Sequence, residues 1–292
     1  MSGPFTRRAA LKLLAVSAGV PVIGRGAERV TSPRTGANFK LGIASYSLRG
    51  LPLDAALVAV RRLGLSALSI NRAHLSWEHE TAGWERAADK FGPAGVAVRC
   101  CGVMTLKNDE AMVRGAFDFA RKLGVHLIAC SPEPAALPLV ARCTEEFGIR
   151  AAIHNHGPED KIYPSPHEAW AAVQPFGPGL GLCIDVGHSW RAGADPADCI
   201  RKYASRLLDV HLKDSNAAVG AEDVPVEMGR GKMDIPAILT ALIESGYGGT
   251  AWFEYEKDAA DPLPGLAESI GYVRGLMRGM GLDADALNRM IS

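Results

Sequence analysis

The stretch RAAIHNH at residues 150–156 joins a short apolar segment to two histidines that flank an asparagine. Small and β-branched apolar residues that run directly into polar ones are typical of a buried strand ending at a loop. The two histidines therefore lie at the carboxyl end of a predicted strand. A hydrogen-bonded strand end and a metal site both fit this pattern. The choice between them depends on whether other strands also end in potential metal ligands.

The same pattern recurs from residue 39 onwards at a spacing of roughly 30 residues. Each short apolar run is followed by a polar loop and then by a longer segment with helical periodicity. Runs of this kind are typical of buried parallel strands. The predicted strands are KLGIAS (40–45), LSALSI (65–70), VAVRCCGV (96–103), HLIACS (126–131), RAAIHN (150–155), LGLCID (180–185), RLLDVHL (206–212) and TAWFE (250–254).

Amphipathic helices are predicted between these strands. The segment at 108–124 begins with Asn and acidic residues and ends in Arg-Lys-Leu-Gly, so its charges suit both ends of the helix dipole. Eight strands that alternate with helical segments within about 250 residues predict an α/β fold, a single (β/α)8 TIM barrel. No GxGxxG motif follows the first strand, which argues against a doubly wound dinucleotide-binding sheet. The predicted helices are 53–64, 77–91, 108–124, 166–174, 234–249 and 266–281.

Residues 1–38 are predicted to be a Tat-type signal peptide and linker, and residues 39–292 to be the barrel domain. Twin arginines in TRRAALK (6–12) precede the apolar run LLAVSAGVPVIG, the order of an exported precursor. This run is shorter than the roughly 20 residues of a spanning helix, so no stable membrane insertion of the mature protein is expected. The predicted location is the periplasm. The alternative is a disordered extension on a cytoplasmic protein.

The charge balance restricts the partners. The chain has 292 residues, with 32 Lys and Arg against 32 Asp and Glu. Proteins that bind nucleic acid or a membrane surface usually carry a basic excess on one face. The predicted partner is therefore a small, roughly neutral molecule and not a nucleic acid. A homo-oligomer is compatible with these observations.

Six cysteines are scattered along the barrel domain and show no CxxC spacing, so a zinc cluster is not predicted. Several lie inside the apolar strand segments. Buried, reduced thiols that pack as small apolar side chains are expected, with disulfides as the alternative. The six are Cys100, Cys101, Cys130, Cys143, Cys183 and Cys199.

Polar side chains end each of the last four predicted strands, at the face where barrel enzymes carry their chemistry. A buried carboxylate is costly unless it is paired or bound to a cation, so four such ends together predict a metal site. Mixed imidazole and carboxylate ligands suit Mn²⁺ or Zn²⁺ best; Co²⁺ and Fe²⁺ also fit, and Mg²⁺ fits less well. The alternative is a salt-bridged polar rim. The candidate ligands of one divalent ion are His154, Asp185, His211 and Glu254.

Residues two positions apart on a strand share a face. His156, Lys213 and Glu256 are therefore each predicted to lie one step closer to the loops than a candidate ligand. A tight turn at Val-Gly after Asp185 is predicted to fold His188 back over the metal. These outer side chains are the natural groups for contact with substrate.

At these residues the chain resembles the sugar phosphate isomerase/epimerase superfamily of xylose isomerase-like TIM barrels. The resemblance covers about residues 39–280 and implies that one divalent metal is held by residues at the ends of strands five to eight. Many relatives carry a Glu on the fifth strand that is both ligand and acid/base, whereas this chain has His154. The endonuclease IV branch is disfavoured, because extra metal ligands and a basic excess are missing. The motifs are HNHGPED (154–160), CIDVGHSWRAGADP (183–196), LLDVHLKD (207–214), EMGRGKMDIPAIL (227–239) and GYGGTAWFEYE (246–256).

The resemblance implies a metal-dependent sugar isomerase/epimerase that removes a proton next to a carbonyl and forms a metal-stabilised enediolate. Glu254 is predicted to be both ligand and acid/base, with His156, Glu256 or His188 as the second proton carrier. A lyase or dehydratase on inososes or 3-keto-glycosides is the first alternative, and a non-catalytic carbohydrate-binding barrel is the second. The predicted substrate-binding residues are His188, Lys213, Arg230 and His74, with Asn71 and Arg49 as further candidates.

Overall fold

The computed structural model describes residues 39–78 and 81–282. The predicted signal peptide and linker at 1–38 lie outside the described residues. Within the described part, no helix is both long enough and apolar enough to cross a membrane.

Eight parallel strands form a closed barrel. Each strand pairs with its neighbours in the chain, and the first strand closes onto the last. The single (β/α)8 TIM barrel predicted from the sequence is therefore confirmed. The strands are β1 (Lys40–Ala44), β2 (Ala67–Ile70), β3 (Ala97–Leu106), β4 (Leu127–Pro132), β5 (Arg150–His154), β6 (Leu180–Asp185), β7 (Leu207–Leu212) and β8 (Thr250–Phe253).

Nine α-helices of the described part surround the barrel. Of these, α4, α6 and α7 lie outside the predicted helical segments. The last two have only six and seven residues, too few to display a helical repeat of apolar positions. The helices are α1 (Leu53–Arg62), α2 (Thr81–Phe91), α3 (Glu110–Lys122), α4 (Leu137–Phe147), α5 (Pro166–Val173), α6 (Val186–Arg191), α7 (Pro196–Lys202), α8 (Ile235–Glu244) and α9 (Leu263–Gly279).

The interior of the barrel combines one large side chain with many small ones. Trp252 packs there against a set of buried residues with small side chains, among them Ala152 and Cys183. The Trp252 indole donates a hydrogen bond of 2.6 Å to the fully buried carboxylate of Asp209. Each candidate metal ligand follows one residue of this interior layer by two positions, so strand alternation places the ligands one layer above it. The residues of the interior layer are Ala152, Cys183, Asp209 and Trp252.

Gly42 on β1 leaves the space that the Trp252 ring occupies, because a Cβ at this position would overlap the ring. We expect Gly42→Ala to lower the free energy of unfolding by about 1–3 kcal/mol, measured by urea denaturation. Gly115 in α3 is a matched control, since no atom lies within 4 Å of its added Cβ. There the same substitution should stabilise the protein by about 1 kcal/mol. Equal effects at the two positions would contradict this account of the interior.

The six cysteines are all unpaired and buried. Burial raises the pKa of the Cys100 and Cys183 thiols well above the usual value. These thiols therefore pack as small apolar groups, as expected from the sequence.

Candidate metal centre

Four side chains converge at the carboxyl end of the barrel. His154 ends β5, Asp185 ends β6, His211 lies near the end of β7, and Glu254 directly follows β8. One nitrogen or oxygen atom from each lies within 4.8 Å of those of the other three. None of the four side chains is more than 8% exposed. The structure thus brings together the four residues that the sequence predicts as ligands.

The atoms that face each other are those that bind metals. The His154 Nε2 atom lies 3.5 Å from Asp185 Oδ2, and the His211 Nδ1 atom lies 2.9 Å from Glu254 Oε2. Both ring nitrogens of His154 are buried and make no hydrogen bond within the described residues. Buried polar atoms without partners are costly, and a cation would satisfy them. Two imidazoles and two carboxylates therefore fit a divalent ion of the Zn²⁺ or Mn²⁺ kind.

A second group of potential ligands shares two of these residues. His154 and His211 also lie close to the thiol of Cys183 on β6. This group has three members and contains no carboxylate. The set with Asp185 and Glu254 offers one more ligand and two negative charges, so it is the better candidate.

The ammonium group of Lys213 lies among the carboxylates of the site. Its Nζ atom is 3.1 Å from Asp185 Oδ2, 3.0 Å from Glu254 Oε2 and 3.1 Å from Glu256 Oε1. The lysine side chain is only 3% exposed. Three buried or partly buried carboxylates thus surround one ammonium group, which favours a further cation at this end of the barrel.

These contacts determine the protonation of the site. Burial alone would raise the pKa of Asp185 and Glu254, but the Lys213 ammonium holds both well below the usual range. Burial likewise opposes the charge of Lys213, yet the carboxylates raise its pKa well above normal. Burial also lowers the pKa of His154, and the neighbouring His156 adds to the effect. A neutral imidazole and ionised carboxylates are the forms that bind metal ions.

Glu256 and His156 lie further out, toward the loops. Burial raises the pKa of Glu256, and the negative charge of Glu254 raises it further. The positive charge of Lys213 opposes both effects. The His156 ring lies 4.4 Å from the His154 ring, measured between centroids, and burial lowers its pKa. Both side chains are partly exposed, so they are positioned to exchange protons with a bound molecule.

His188 reaches the site from a helix and not from the predicted tight turn. Asp185 is the N-cap of α6, because its Oδ1 atom accepts a hydrogen bond of 2.8 Å from the backbone N–H of His188. This capping bond starts a helix directly after β6. The His188 Nε2 atom then lies 3.3 Å from Lys213 Nζ, which places the ring beside the candidate ligands as expected.

Two predicted substrate-binding residues are not brought to this group. The Arg230 guanidinium pairs with Glu268 on α9 and is 61% exposed, because the loop after β7 turns outward over the helices. The His74 ring nitrogens lie 3.2 Å from Ser45 Oγ and from the Leu48 carbonyl oxygen. Both nitrogens of His74 are thereby used to fix the turn after β1.

The two further candidates, Arg49 and Asn71, both donate to backbone carbonyl groups. Arg49 donates to the backbone carbonyl of Glu256 at 3.1 Å, which places its guanidinium near the loop after β8. The Asn71 side chain donates to the carbonyl of Gly102 at 3.1 Å and thus joins the loops after β2 and β3. Asn71 therefore supports these loops.

Asp209 and Arg191 are two buried charged residues that the sequence patterns do not single out. Asp209 lies beneath His211, with its Oδ2 atom 3.9 Å from His211 Nε2. The signal that could have identified Asp209 is a single acidic residue inside an apolar strand, two positions before a candidate ligand. Arg191 packs behind His188 and carries no sequence signal beyond its place in the motif HSWRAG.

We expect the metal-free protein to lose stability in mild acid. Burial and the nearby Lys213 charge lower the pKa of His188 to about 4. Because the unfolded histidine titrates near 6.5, the unfolded state binds more protons between these values. The free energy of unfolding should therefore fall as the pH drops from about 6.5 to about 4, by up to about 1.4 kcal/mol per pH unit for this residue. Urea denaturation in chelator across this range measures it, and an unchanged slope in His188→Asn would contradict the assignment.

The closed parallel barrel and the four convergent side chains define a (β/α)8 barrel with a candidate metal centre at its carboxyl end. The sequence pattern of the xylose isomerase-like TIM barrel family matches residues 105–276, more than half of the chain. The chain therefore belongs to this family.

Individual relatives match over shorter stretches. The rhizopine catabolism protein MocC of Rhizobium meliloti is 30% identical over 144 aligned positions, and the match covers 44% of this chain and 43% of that protein. Inosose dehydratase of Geobacillus kaustophilus is 29% identical over 142 aligned positions, and the match covers 42% of this chain and 44% of that enzyme. These matches span less than half the length of the two relatives.

Solved structures share the fold over more of the chain. The structure of the IolI protein with a bound zinc atom superimposes with a TM-score of 0.72 and 14% identity. The similarity covers 83% of this chain and 99% of that protein. At this identity the likeness shows the barrel fold alone.

Proposed function

We propose that the protein is a metal-dependent enzyme that removes a proton next to a carbonyl group of a small carbohydrate and yields an isomer or epimer. The observation that carries this proposal is the convergence of His154, Asp185, His211 and Glu254 beside the proton-carrying groups of His156 and Glu256. A divalent ion held by the four ligands, Zn²⁺ or Mn²⁺, supplies Lewis-acid charge at the substrate carbonyl.

The side chains of the site divide the remaining tasks. Glu254 and Glu256 each have a carboxylate oxygen within 3.1 Å of the Lys213 ammonium, and we assign them to proton transfer at the substrate carbon. Glu256 is the better suited at neutral pH, because its pKa is raised toward the working pH. His156 is the further proton carrier, on the β5 side of the mouth. Lys213 and His188 are positioned to hold substrate oxygens.

A dehydratase is the second candidate, and a specific asymmetry favours it. The β5 side of the site presents the imidazoles of His154 and His156, whereas the β8 side presents the carboxylates of Glu254 and Glu256. Elimination of water needs a base for the carbon proton and a different group that protonates the leaving hydroxyl. An imidazole opposite a carboxylate suits that division, and the likeness to inosose dehydratase supports the same chemistry.

One experiment separates these functions. The purified protein is loaded with Zn²⁺ or Mn²⁺ and incubated in D₂O with ketoses, inososes and 3-keto-glycosides, and products are followed by NMR. Deuterium at carbon without loss of water supports the isomerase or epimerase, whereas loss of water or of an aglycone supports the dehydratase or lyase. Binding of a carbohydrate without any exchange would overturn both and leave a non-catalytic binding barrel.

We also propose that residues 1–38 direct export by the Tat route. The support is the twin arginines at Arg7 and Arg8 ahead of a short apolar run. Full-length protein should be found in the periplasmic fraction, and the double substitution of both arginines by lysine should retain it in the cytoplasm. Equal distribution of the two proteins would contradict the proposal.

A further inference from the structure

We propose that Arg191 is a positioning residue that fixes the tautomer of His188, so that the ring carries its proton on Nε2. The role of that N–H toward a substrate rests on the function proposed above. The tautomer itself does not, because it is a property of the protein without substrate.

Arg191 is held rigidly behind the His188 ring. Its side chain is 4% exposed, its Nε donates to the carbonyl of Ala221 at 3.0 Å, and one terminal nitrogen pairs with Glu159. The other terminal nitrogen lies 3.3 Å from His188 Nδ1. Glu159 belongs to the loop after β5 and Ala221 to the loop after β7. The guanidinium is therefore contacted from two loops, which hold it beside the ring.

The chemistry of arginine decides the role of Nδ1. A guanidinium only donates hydrogen bonds, because it has no acceptor atom. The Nδ1 atom facing Arg191 must then accept, and in a neutral imidazole the single proton lies on the other nitrogen. This places N–H at Nε2.

Lys213 favours the opposite tautomer, since its Nζ atom lies 3.3 Å from His188 Nε2 and can also only donate. The ammonium donates to Glu256 at 3.1 Å and lies 3.0–3.1 Å from carboxylate oxygens of Asp185 and Glu254. These charged oxygens are closer than the imidazole nitrogen and attract the ammonium hydrogens more strongly. Within the described residues, the Arg191 nitrogen that faces His188 has no such alternative acceptor. Arg191 therefore decides the tautomer.

The consequence is that two donors point into the same space. The Nε2 atom of His188 lies 3.3 Å from the Lys213 ammonium, which in turn donates to Glu256. A substrate oxygen can accept from both donors there. In this tautomer Nε2 cannot remove a proton from the substrate, so the base must be one of the carboxylates or His156, and His188 is a hydrogen-bond donor.

The tautomer can be measured directly by ¹⁵N NMR of the histidine rings, with His188→Asn used to assign the signals. We expect the pyrrole-type signal at Nε2 and the acceptor-type signal at Nδ1 in the resting protein. Arg191→Met should move the proton toward Nδ1, because only Lys213 then contacts the ring. Arg191→Lys, which restores a charged donor, should recover part of the Nε2–H form. The control Arg201→Met removes an exposed arginine of α7 and should leave the signals unchanged.

A proton on Nδ1 in the wild-type protein would overturn the inference, and so would an unchanged tautomer in a folded Arg191→Met. The wild-type spectrum decides the question alone if the variant does not fold. If turnover is found, Arg191→Met should lower kcat/KM by about 10–100-fold, the usual cost of losing an outer partner of a functional imidazole, mainly through KM. Absence of turnover together with an Nε2–H ring would overturn the proposed function and leave the role of Arg191 standing.

Discussion

Asp185→Asn is expected to weaken divalent-metal binding by more than about 100-fold, beyond the usual effect of losing an outer-sphere partner. The substitution removes one of two buried negative charges among the four candidate ligands. The amide oxygen can still accept the backbone N–H of His188, so the cap that starts α6 is retained. Lys213 keeps its contacts with Glu254 and Glu256. The barrel should therefore stay folded while the metal is lost, as measured by calorimetric titration with Zn²⁺ and Mn²⁺.

Asp195→Asn is the matched control for this experiment. Asp195 is also an N-cap, since it accepts from the backbone N–H of Asp198 at the start of α7, but it is not part of the candidate metal centre. We expect full metal affinity in this variant. Equal affinity in Asp185→Asn and the wild type would show that the four convergent side chains do not bind the ion.

The barrel follows from the sequence because its strands are buried on both faces. Continuous apolar runs such as RAAIH and LGLCID can be recognised without knowledge of their partners, and their equal spacing fixes the topology. All eight predicted strands occur within a few residues of the expected bounds. The small hairpin formed by residues 214–215 and 225–226 is not predictable in this way, because its two-residue strands are too short to show alternation.

The site could be predicted only where a side chain follows a strand. The barrel brings the carboxyl ends of its strands to one face. The positions of the side chains at those ends therefore depend on backbone register alone, as for His154, Asp185, His211 and Glu254. Arg230 depends on the path of a long loop, and sequence spacing does not give the direction of that path. Its pairing with Glu268 is a contact between segments 38 residues apart. The contacts of Arg191 could not be predicted for the same reason, because its partners come from two separate loops.

The central position of Lys213 is the feature with the strongest expected effect on stability. Spacing predicts that this lysine lies near the ligands, but not that one ammonium would contact Asp185, Glu254 and Glu256 together. This arrangement has consequences of opposite sign for folding and for metal binding. In the absence of an ion the lysine neutralises buried carboxylates, whereas in the presence of an ion its positive charge repels the metal.

Lys213→Met should therefore destabilise the metal-free protein by about 3–5 kcal/mol, the usual result of removing one partner of a buried ion pair. A divalent ion should compensate, because it neutralises the same carboxylates without competition from the ammonium. We expect the rise in Tm on adding Zn²⁺ or Mn²⁺ to be larger in the variant than in the wild type, and the metal affinity to be at least as high. Under the proposed function, turnover should also fall, since Lys213 would no longer donate to a substrate oxygen.

The comparison needs a lysine whose carboxylate partner lies outside the candidate metal centre. Lys90 pairs with Asp54 at 2.8 Å and both side chains are exposed, so Lys90→Met should cost no more than about 1 kcal/mol and leave the metal response unchanged. Urea denaturation and thermal unfolding, each with chelator and with saturating metal, measure all four states. If Lys213→Met is as stable as the wild type in chelator, the buried carboxylates are neutralised by something other than Lys213. Because the site then needs neither the lysine nor an ion to remain folded, the electrostatic argument for a metal at this end of the barrel would fail with it.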